Sequence, residues 1–371
     1  MEQTPWYSIA DIARLDTPAL VIYPERVRQN IASLVRSIDS VDRLRPHVKT
    51  SKSREASQLL MDAGIRKLKC ATIAEAEMLA SIGAPDVLLA YQPNEAKMHR
   101  LLSLIKAYPE TIFSCLVDNV TTAHQLSELA VGAGVVVPVY IDLNVGMNRT
   151  GMVPGEAVLT LYTELSSLPG IRPMGLHAYD GHLRDPDLAV RTAQCDTAFW
   201  PVKLLSDTIA ARGLGKPILV VGGSPTFPIH AKRPDVECSP GTFIYWDKGY
   251  QSTLAEQPFL PAGMVVTRVI SLPDATKVCL DVGHKSIAAE GELSQRITFL
   301  NAPELNAIGQ SEEHLVVEAG EGHSYKVGDV LYGLPHHICP TVALYERAYT
   351  VENGALSGEW RTVSRDRVIS I

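Results

Sequence analysis

The chain has 371 residues and a mass of 40.4 kDa, with 46% hydrophobic and 20% charged residues. This length exceeds what one ordinary hydrophobic core holds, so we expect a large barrel with a second domain, or two domains of conventional size. A small disulfide-stabilised module is excluded. The 34 basic and 41 acidic side chains give a net charge of -7 without a basic run, which disfavours nucleic acid as a partner and favours small molecules.

Nothing in the sequence indicates export or membrane insertion. The first 20 residues lack a basic stretch followed by an apolar core, so we expect a cytoplasmic protein. The longest apolar stretch, residues 131–143, is shorter than the roughly 20 residues of a membrane span. Six widely spaced cysteines in a chain without a secretion signal indicate reduced thiols.

Up to about residue 246, short apolar runs alternate with longer segments of helical period, a pattern typical of parallel strands joined by crossover helices. The eight strand candidates are residues 44–49, 67–71, 87–91, 111–117, 135–143, 173–179, 218–221 and 243–246, the last approached from residue 236. The helical segments are 53–63, 73–82, 94–107 and 185–211, with Asn94 and Asp185 suited to N-caps. We predict an α/β fold with a (β/α)8 TIM-type barrel over residues 12–248, and a doubly wound open sheet as the alternative.

After residue 249 the pattern changes to strands joined by turns, which predicts an antiparallel β domain over residues 249–371. Its strand candidates are residues 264–272, 277–282, 314–318, 330–334, 341–351 and 360–363. Residues 16–23 (DTPALVIY) read as an earlier strand, so the N-terminal segment 1–23 could belong to either domain.

A lysine closes the first predicted barrel strand. Lys49 stands in RPHVKTS, where a strand end points into the barrel mouth, and desolvation there lowers an amine's pKa and makes it a nucleophile toward carbonyls. His47 would share the same strand face. A solvated lysine and a hydrogen-bonded core histidine are the alternatives.

Two glycine-containing loops predict an anion site. VVGGSPT follows the seventh strand and SPGT lies beside the eighth, where barrels commonly bind phosphate. Glycines let backbone N–H groups turn toward an anion, and hydroxyls add donors. The candidates are Gly223, Ser224, Thr226, Gly241 and Thr242; two ordinary turns are the alternative.

Further titratable side chains follow the fifth and sixth strands. Arg149 lies in DLNVGMNRTG, a loop too rich in Asn and Gly for regular structure. His177 and Tyr179 alternate in GLHAYDGH, so both are predicted to point into the barrel. The alternative for the Arg149 loop is an exposed surface turn. The alternative for His177 and Tyr179 is a pair of barrel-interior residues that are hydrogen-bonded to each other.

The motif PHHICPT in the β domain carries a possible metal site. On an extended strand, the spacing of His337 and Cys339 places imidazole and thiolate on one face, within reach of one borderline-soft metal such as Zn²⁺. Two ligands leave positions open for water or substrate, the catalytic arrangement. A chance His-x-Cys pair is the alternative.

Taken in chain order, DTPAL, RPHVKT, DLNVGMNRTG, HAY, GSPT, ECSPGT and PHHICPT resemble one family. It is the family of pyridoxal-phosphate lyases of alanine-racemase-like fold that comprises D-threonine aldolase and eukaryotic-type D-serine dehydratase. The resemblance implies that Lys49 links covalently to pyridoxal 5'-phosphate and that the glycine loops hold its phosphate. It also implies that Arg149, His177 and Tyr179 lie near the cofactor.

The same resemblance implies that His337 and Cys339 hold a divalent metal, with Zn²⁺ favoured and Mn²⁺ or Mg²⁺ as alternatives. Proteins of this fold are usually homodimers whose active sites combine the barrel of one subunit with the β domain of the other. The expected substrate is a β-hydroxy D-amino acid, and the expected partners include neither nucleic acid nor a membrane.

Two lyase reactions fit these residues. Retro-aldol cleavage gives glycine and an aldehyde, whereas dehydration of D-serine or 3-hydroxy-D-aspartate gives a 2-oxo acid and ammonia. In the family, a cysteine at the second metal position is typical of dehydratases. The PHHICPTVALY segment and the chain length resemble bacterial aldolases more closely, so we favour the aldolase. An amino-acid racemase, a non-catalytic cofactor carrier and a sugar-metabolising barrel are further alternatives.

Overall fold

The computed structural model describes residues 4–371 and separates into two compact units. The barrel unit consists of Leu34–Lys49, Ser57–Gly241 and Asp366–Ile371. The β unit consists of residues 4–33, Thr50–Ala56 and Thr242–Arg365. Of the N-terminal segment 1–23 considered above, residues 1–3 lie outside the described residues.

Seven parallel strands of the barrel unit pair in the order in which they occur in the chain, as crossover helices require. Numbering in chain order begins with β1 (Ala19–Ile22) of the β unit, and the seven are β2 (Lys67–Cys70), β3 (Asp86–Leu89), β4 (Ile112–Val117), β5 (Val137–Leu143), β6 (Ile171–Ala178), β7 (Ile218–Val221) and β8 (Val236–Cys238). The expected alanine-racemase-like architecture, a parallel sheet followed by a second β domain, is confirmed.

The predicted first strand, residues 44–49, is not a regular strand. Isolated bridges join Leu44 to Cys238 of β8 and His47 to Lys69 of β2, so this segment lies between the two outer strands of the sheet. Its chain then turns into a 3-10 helix, Val48–Thr50. The predicted eighth strand at 243–246 was wrong as well, because that segment starts in a 3-10 helix, Thr242–Ile244, and β8 ends earlier.

Arg45 anchors this closing segment. Its buried guanidinium donates at 2.6 and 3.0 Å to Asp86 of β3 and at 2.7 Å to Glu237 of β8. Lys67 of β2 bonds the other oxygen of Glu237 at 2.5 Å. Three strands and the closing segment therefore share one network of charges.

Ten helices occur in the described residues: α1 (Pro24–Arg36), α2 (Arg54–Asp62), α3 (Ile73–Ser81), α4 (Glu95–Ala107), α5 (Val120–Ala133), α6 (Glu156–Leu165), α7 (Leu188–Ala211), α8 (Phe227–His230), α9 (Lys248–Thr253) and α10 (Ile338–Val342). Asn94 caps α4 as predicted. Asp185 does not cap α7; Asp187 does, and its side chain accepts hydrogen bonds from Ala189 N and Val190 N. None of the helices within residues 4–371 has the length and apolarity needed to cross a lipid bilayer.

The β unit contains a nine-stranded sheet. Its strands are β1, β9 (Gly263–Ser271), β10 (Lys277–Leu280), β11 (Ile297–Phe299), β12 (Asn306–Gln310), β13 (Leu315–Glu318), β14 (Val330–Pro335), β15 (Arg347–Glu352) and β16 (Ala355–Arg361). The sheet is mixed and not purely antiparallel, since β1 pairs parallel with β15 and antiparallel with β9. β11 and β12 were not predicted.

The strand predicted over residues 341–351 begins too early. Its first residues belong to helix α10, and only β15 is extended. Pro340 explains the difference, because proline has no N–H for a sheet ladder but fits the first turn of a helix.

Arg45→Met is expected to lower the free energy of unfolding by about 3–5 kcal/mol, because it leaves the buried carboxylate of Glu237 without its guanidinium partner. Urea unfolding followed by circular dichroism measures the change. The control is Lys203→Ala, which removes an exposed pair with Asp207 and should cost at most about 0.5 kcal/mol. Equal effects of the two variants would contradict the anchoring role of Arg45.

Candidate active site

Three basic side chains of the barrel unit surround one aromatic ring. The ring belongs to Tyr179, which follows β6, and its centroid lies 5.7 Å from Lys49 Nζ, 5.9 Å from Lys69 Nζ and 5.1 Å from the Arg149 guanidinium carbon. Such a concentration of basic groups favours an anionic ligand at this point.

Strand direction explains this convergence. Lys49 ends the closing segment, Arg149 follows β5 and Tyr179 follows β6, so all three lie where parallel strands end. The sequence singled out these three residues but missed Lys69. Its position between Leu68 and Cys70 in β2 was the available signal.

Lys69, His177 and Asp142 form a buried chain of hydrogen bonds that we call the amine relay. Lys69 Nζ lies 3.4 Å from His177 Nε2, and His177 Nδ1 lies 2.7 Å from Asp142 Oδ1. A carboxylate only accepts, so Nδ1 donates to Asp142 and Nε2 accepts from Lys69. His177 is therefore not bonded to Tyr179, which the sequence had left as an alternative.

Burial dominates the ionisation of the relay. Burial, and after it the positive charge of Lys49, lower the pKa of Lys69 to about 7. Burial and the neighbouring Lys69 also lower the pKa of His177, so its ring is neutral at pH 7. Burial is the largest single influence on Asp142 and opposes its ionisation, but the hydrogen bond from His177 and smaller contributions, among them a hydrogen bond from Thr150, together keep its pKa below the usual value.

The first glycine loop lies against Tyr179. A Cβ atom on Gly223 would come within 3.0 Å of the Tyr179 ring, so a side chain there would require the ring to move. Gly222 has a φ of 76°, a left-handed conformation that glycine adopts freely. Ser224 links this loop to the second one by accepting a hydrogen bond from Gly241 N at 3.2 Å.

The hydroxyl of Thr226 is already bonded within the protein. It donates to Asp180 at 2.7 Å and accepts from Gly223 N at 3.3 Å. A contact of Thr226 with a phosphate would need this arrangement to change. Nearby, the buried hydroxyl of Ser239, just after β8, has no hydrogen-bond partner in the described chain. A buried hydroxyl without a partner fits a site for a ligand with several oxygen atoms, because such a ligand would accept its hydrogen bond.

Asp180 also belongs to a cluster with Cys195 and His230 whose possible metal-binding atoms lie within 4.8 Å of one another. Arg233 contacts His230 Nδ1, and a guanidinium only donates, so His230 carries its proton on Nε2 and donates it to Asp180 at 2.8 Å. Burial raises the pKa of the Cys195 thiol to about 12. In this protonation state the cluster is a hydrogen-bond network that supports Thr226.

The predicted metal ligands lie in the β unit. His337 caps α10 and Cys339 lies in its first turn, so the pair does not sit on the extended strand that the sequence suggested. The two side chains are nevertheless hydrogen-bonded to each other. Thr50 and Thr242 place hydroxyl oxygens 3.1 and 3.6 Å from Cys339 Sγ, so Thr242 lies beside the thiol.

The chemistry of this pair fits a borderline-soft divalent metal. Burial is the largest single influence on the Cys339 thiol and raises its pKa, but the hydrogen bond and charge of His337, together with a hydrogen bond from Thr50, lower that pKa below its usual value, which favours the thiolate. Glu290 lies 2.5 Å from His337 Nδ1. A carboxylate on one ring nitrogen orients the other toward a metal, as in many zinc sites. The sequence did not predict Glu290.

Comparison with known proteins identifies related chains over nearly the whole length. The alanine racemase N-terminal domain family matches residues 22–248, and a serine dehydratase domain matches residues 262–351. A D-threonine aldolase of Arthrobacter sp. is 27% identical over 95% of this chain and 94% of its own. A D-threo-3-hydroxyaspartate dehydratase of Delftia sp. (strain HT23) is 25% identical over 89% and 93%.

A solved structure shows the same fold. The D-threonine aldolase from Filomicrobium marinum matches with a TM-score of 0.88 at 24% identity, covering 96% of this chain and 98% of that one. The likeness therefore extends over both units.

Between about pH 7 and the ordinary lysine pKa of 10.5, unfolded Lys69 retains a proton that folded Lys69 has lost, so the stability of the cofactor-free protein should rise with pH. The expected contribution is about 1.4 kcal/mol per pH unit. Urea unfolding at several pH values measures it, with Lys69→Met lacking this contribution and Lys67→Met retaining it. Parallel curves for wild type and Lys69→Met would show that Lys69 keeps an ordinary pKa.

Proposed function

The chain belongs to the alanine racemase N-terminal domain family, in its branch of D-threonine aldolases and D-serine dehydratases, and we propose from this premise that it cleaves β-hydroxy D-amino acids. The products are glycine and an aldehyde, which makes the protein a lyase. The observation that carries the proposal is the convergence of Lys49, Lys69 and Arg149 on the Tyr179 ring beside the first glycine loop.

The barrel unit would hold pyridoxal 5'-phosphate. The cofactor supplies an electron sink for the electron pair left at the substrate Cα. Lys49 offers the primary amine that reacts with its aldehyde, and Arg149 and Tyr179 offer a cation and an aromatic face. The phosphate donors of this unit are proposed to come from Gly223, Ser224, Thr226 and Gly241; Thr242, predicted with them, belongs to the β unit. His177 contributes through Lys69 and Asp142, to which it is bonded.

Lys49 has two tasks in this proposal. Its side chain is half-buried, so it is partly screened from water yet accessible to a ligand. Released when substrate takes its place, the amine can accept or return a proton at Cα. Lys69 is the second amine beside the same ring, but its full burial distinguishes it from Lys49.

The β unit would hold the divalent metal through His337 Nε2 and Cys339 Sγ. A metal there supplies a Lewis acid for the β-hydroxyl group of the substrate. Glu290 engages His337 Nδ1, so Nε2 is the ring nitrogen that would exchange its proton for the metal. The thiolate favours Zn²⁺ over harder metals such as Mn²⁺ or Mg²⁺. A homodimer with shared active sites and a cytoplasmic location, both expected from the sequence, complete the proposal.

Dehydration is the second candidate, and Cys339 favours it. In that reaction Lys49 would remove the Cα proton and the β-hydroxyl would leave with a proton as water; a water molecule would then hydrolyse the resulting enamine, through its imine form, to a 2-oxo acid and ammonia. A soft thiolate ligand is the feature of this chain that resembles the dehydratases. The same residues serve both reactions, so the products decide between them.

Purified protein with pyridoxal phosphate and Zn²⁺ or Mn²⁺ is expected to convert D-threonine into glycine and acetaldehyde, identified by mass and by enantiomer analysis. D-Serine and D-3-hydroxyaspartate are tested beside it. A 2-oxo acid with ammonia would establish the dehydratase instead, and epimerised threonine a racemase. Cofactor absorbance without turnover of any substrate would indicate a carrier, and no cofactor absorbance would contradict the proposal.

Cys339→Ala is expected to abolish stoichiometric zinc binding and to lower turnover by at least about tenfold, while cofactor absorbance persists. Zinc content after dialysis and the visible spectrum measure the two effects. The matched control is His336→Ala, which changes the adjacent histidine and should retain zinc. If His336→Ala lost zinc and Cys339→Ala retained it, the assignment of His337 and Cys339 as the metal ligands would be wrong.

A further inference from the structure

We propose that in mildly alkaline solution Lys69 is a neutral amine in the ligand-free barrel unit and takes up one proton when an anionic oxygen binds beside Tyr179. The inference rests on the proposed function, which supplies a ligand with two such oxygens: the phosphate and the ring phenolate of the cofactor. It assigns Lys69, His177 and Asp142 a role in ligand binding that the sequence did not suggest for Lys69 or Asp142.

The first argument is burial without a counter-ion. Lys69 is 2% exposed, and in residues 4–371 its amine is in no ion pair; its hydrogen bond is to His177 Nε2. An ammonium group in such surroundings is strongly disfavoured relative to the amine. Lys67, two residues earlier on the same strand, bonds Glu237 instead.

The second argument concerns the charges that face Lys69. Lys49 and Arg45 disfavour its protonation, and both lie in the closing segment beside β2. Asp142 and Asp180 favour its protonation. Their carboxylates, however, are already engaged, Asp142 with His177 and Asp180 with Thr226 and His230.

The surroundings of Lys69 also include Arg149, Tyr179 and His177. The Arg149 cation lies over the same Tyr179 ring as Lys69 and adds to the positive charge. The phenol ring contributes no formal charge, and the neutral His177 ring contributes an acceptor. An anionic oxygen is therefore the missing partner that would make protonation of Lys69 favourable.

The relay gives the incoming proton a defined place. His177 Nε2 can accept only one hydrogen from Lys69, because Nδ1 carries the ring proton and donates it to Asp142. A neutral amine then keeps one other N–H and a lone pair. Protonation converts the lone pair into a donor, and that donor can bond the anionic oxygen. The proton comes from solvent, and no bond between heavy atoms changes.

Calorimetric titration with pyridoxine 5'-phosphate tests this inference. The probe has no aldehyde, so Lys49 cannot link to it covalently. Titrations at pH 8 in two buffers of different ionisation enthalpy give the number of protons taken up, after correction for the titration of the probe itself. Wild type should take up close to one proton at pH 8 and close to none at pH 6, where the Lys69 amine is already protonated. The pH 6 comparison needs no variant.

Lys69→Met is expected to lose this uptake, and Lys67→Met, on the same strand, is expected to retain it. Relative to Lys69→Met, wild-type affinity should fall about tenfold per pH unit above pH 7. Near-ultraviolet circular dichroism confirms that both variants are folded. Equal proton uptake by wild type and Lys69→Met, or equal uptake by wild type at pH 6 and pH 8, would overturn the inference.

Two further probes identify the oxygen. Pyridoxine lacks the phosphate, and inorganic phosphate lacks the ring; the probe that retains the difference between wild type and Lys69→Met carries the oxygen that Lys69 meets. Absence of binding by every probe would overturn the proposed function and this inference with it. Binding without a Lys69-dependent proton would overturn the inference alone.

Discussion

The geometry of the barrel unit depends on how Arg45 holds the segment that ends at Lys49. That segment has too few backbone hydrogen bonds to form a regular strand, and Pro46 cannot donate one. The buried guanidinium replaces them by bonding Asp86 and Glu237 on two different strands. Because Lys49 follows within four residues, its position beside Tyr179 depends on this charged anchor, not on a sheet ladder alone.

The barrel unit shows how environment separates chemically identical side chains. Lys67 reaches a carboxylate and remains partly exposed, Lys69 is buried against a neutral histidine, and Lys49 is half-buried. The same amine can therefore be a structural cation, a group whose charge depends on a ligand, or a nucleophile. Lys67 and Lys69 lie two residues apart in one short strand, and this spacing does not determine whether each amine is charged.

In the β unit, a proline changes the geometry of the metal-binding pair without separating its members. Strand β14 ends at Pro335 and the short helix α10 follows with Pro340 in its first turn, yet His337 and Cys339 remain hydrogen-bonded. Glu290 adds a carboxylate from a distant part of the sequence and engages His337 Nδ1. The donor set is therefore an imidazole and a thiolate whose protonation states are set by neighbours that the motif does not contain.

The sequence by itself determined the two-part architecture and most of the parallel strands, because apolar periodicity and chain order are local properties that constrain a crossover fold. It also pointed to Lys49, Arg149 and Tyr179. Only the tertiary structure decided that residues 44–49 join the outer strands by bridges, and that Lys69 and Glu290 lie beside the candidate residues. The reason is physical: burial, partner choice and pKa depend on groups brought together from distant parts of the chain, and no local pattern records them.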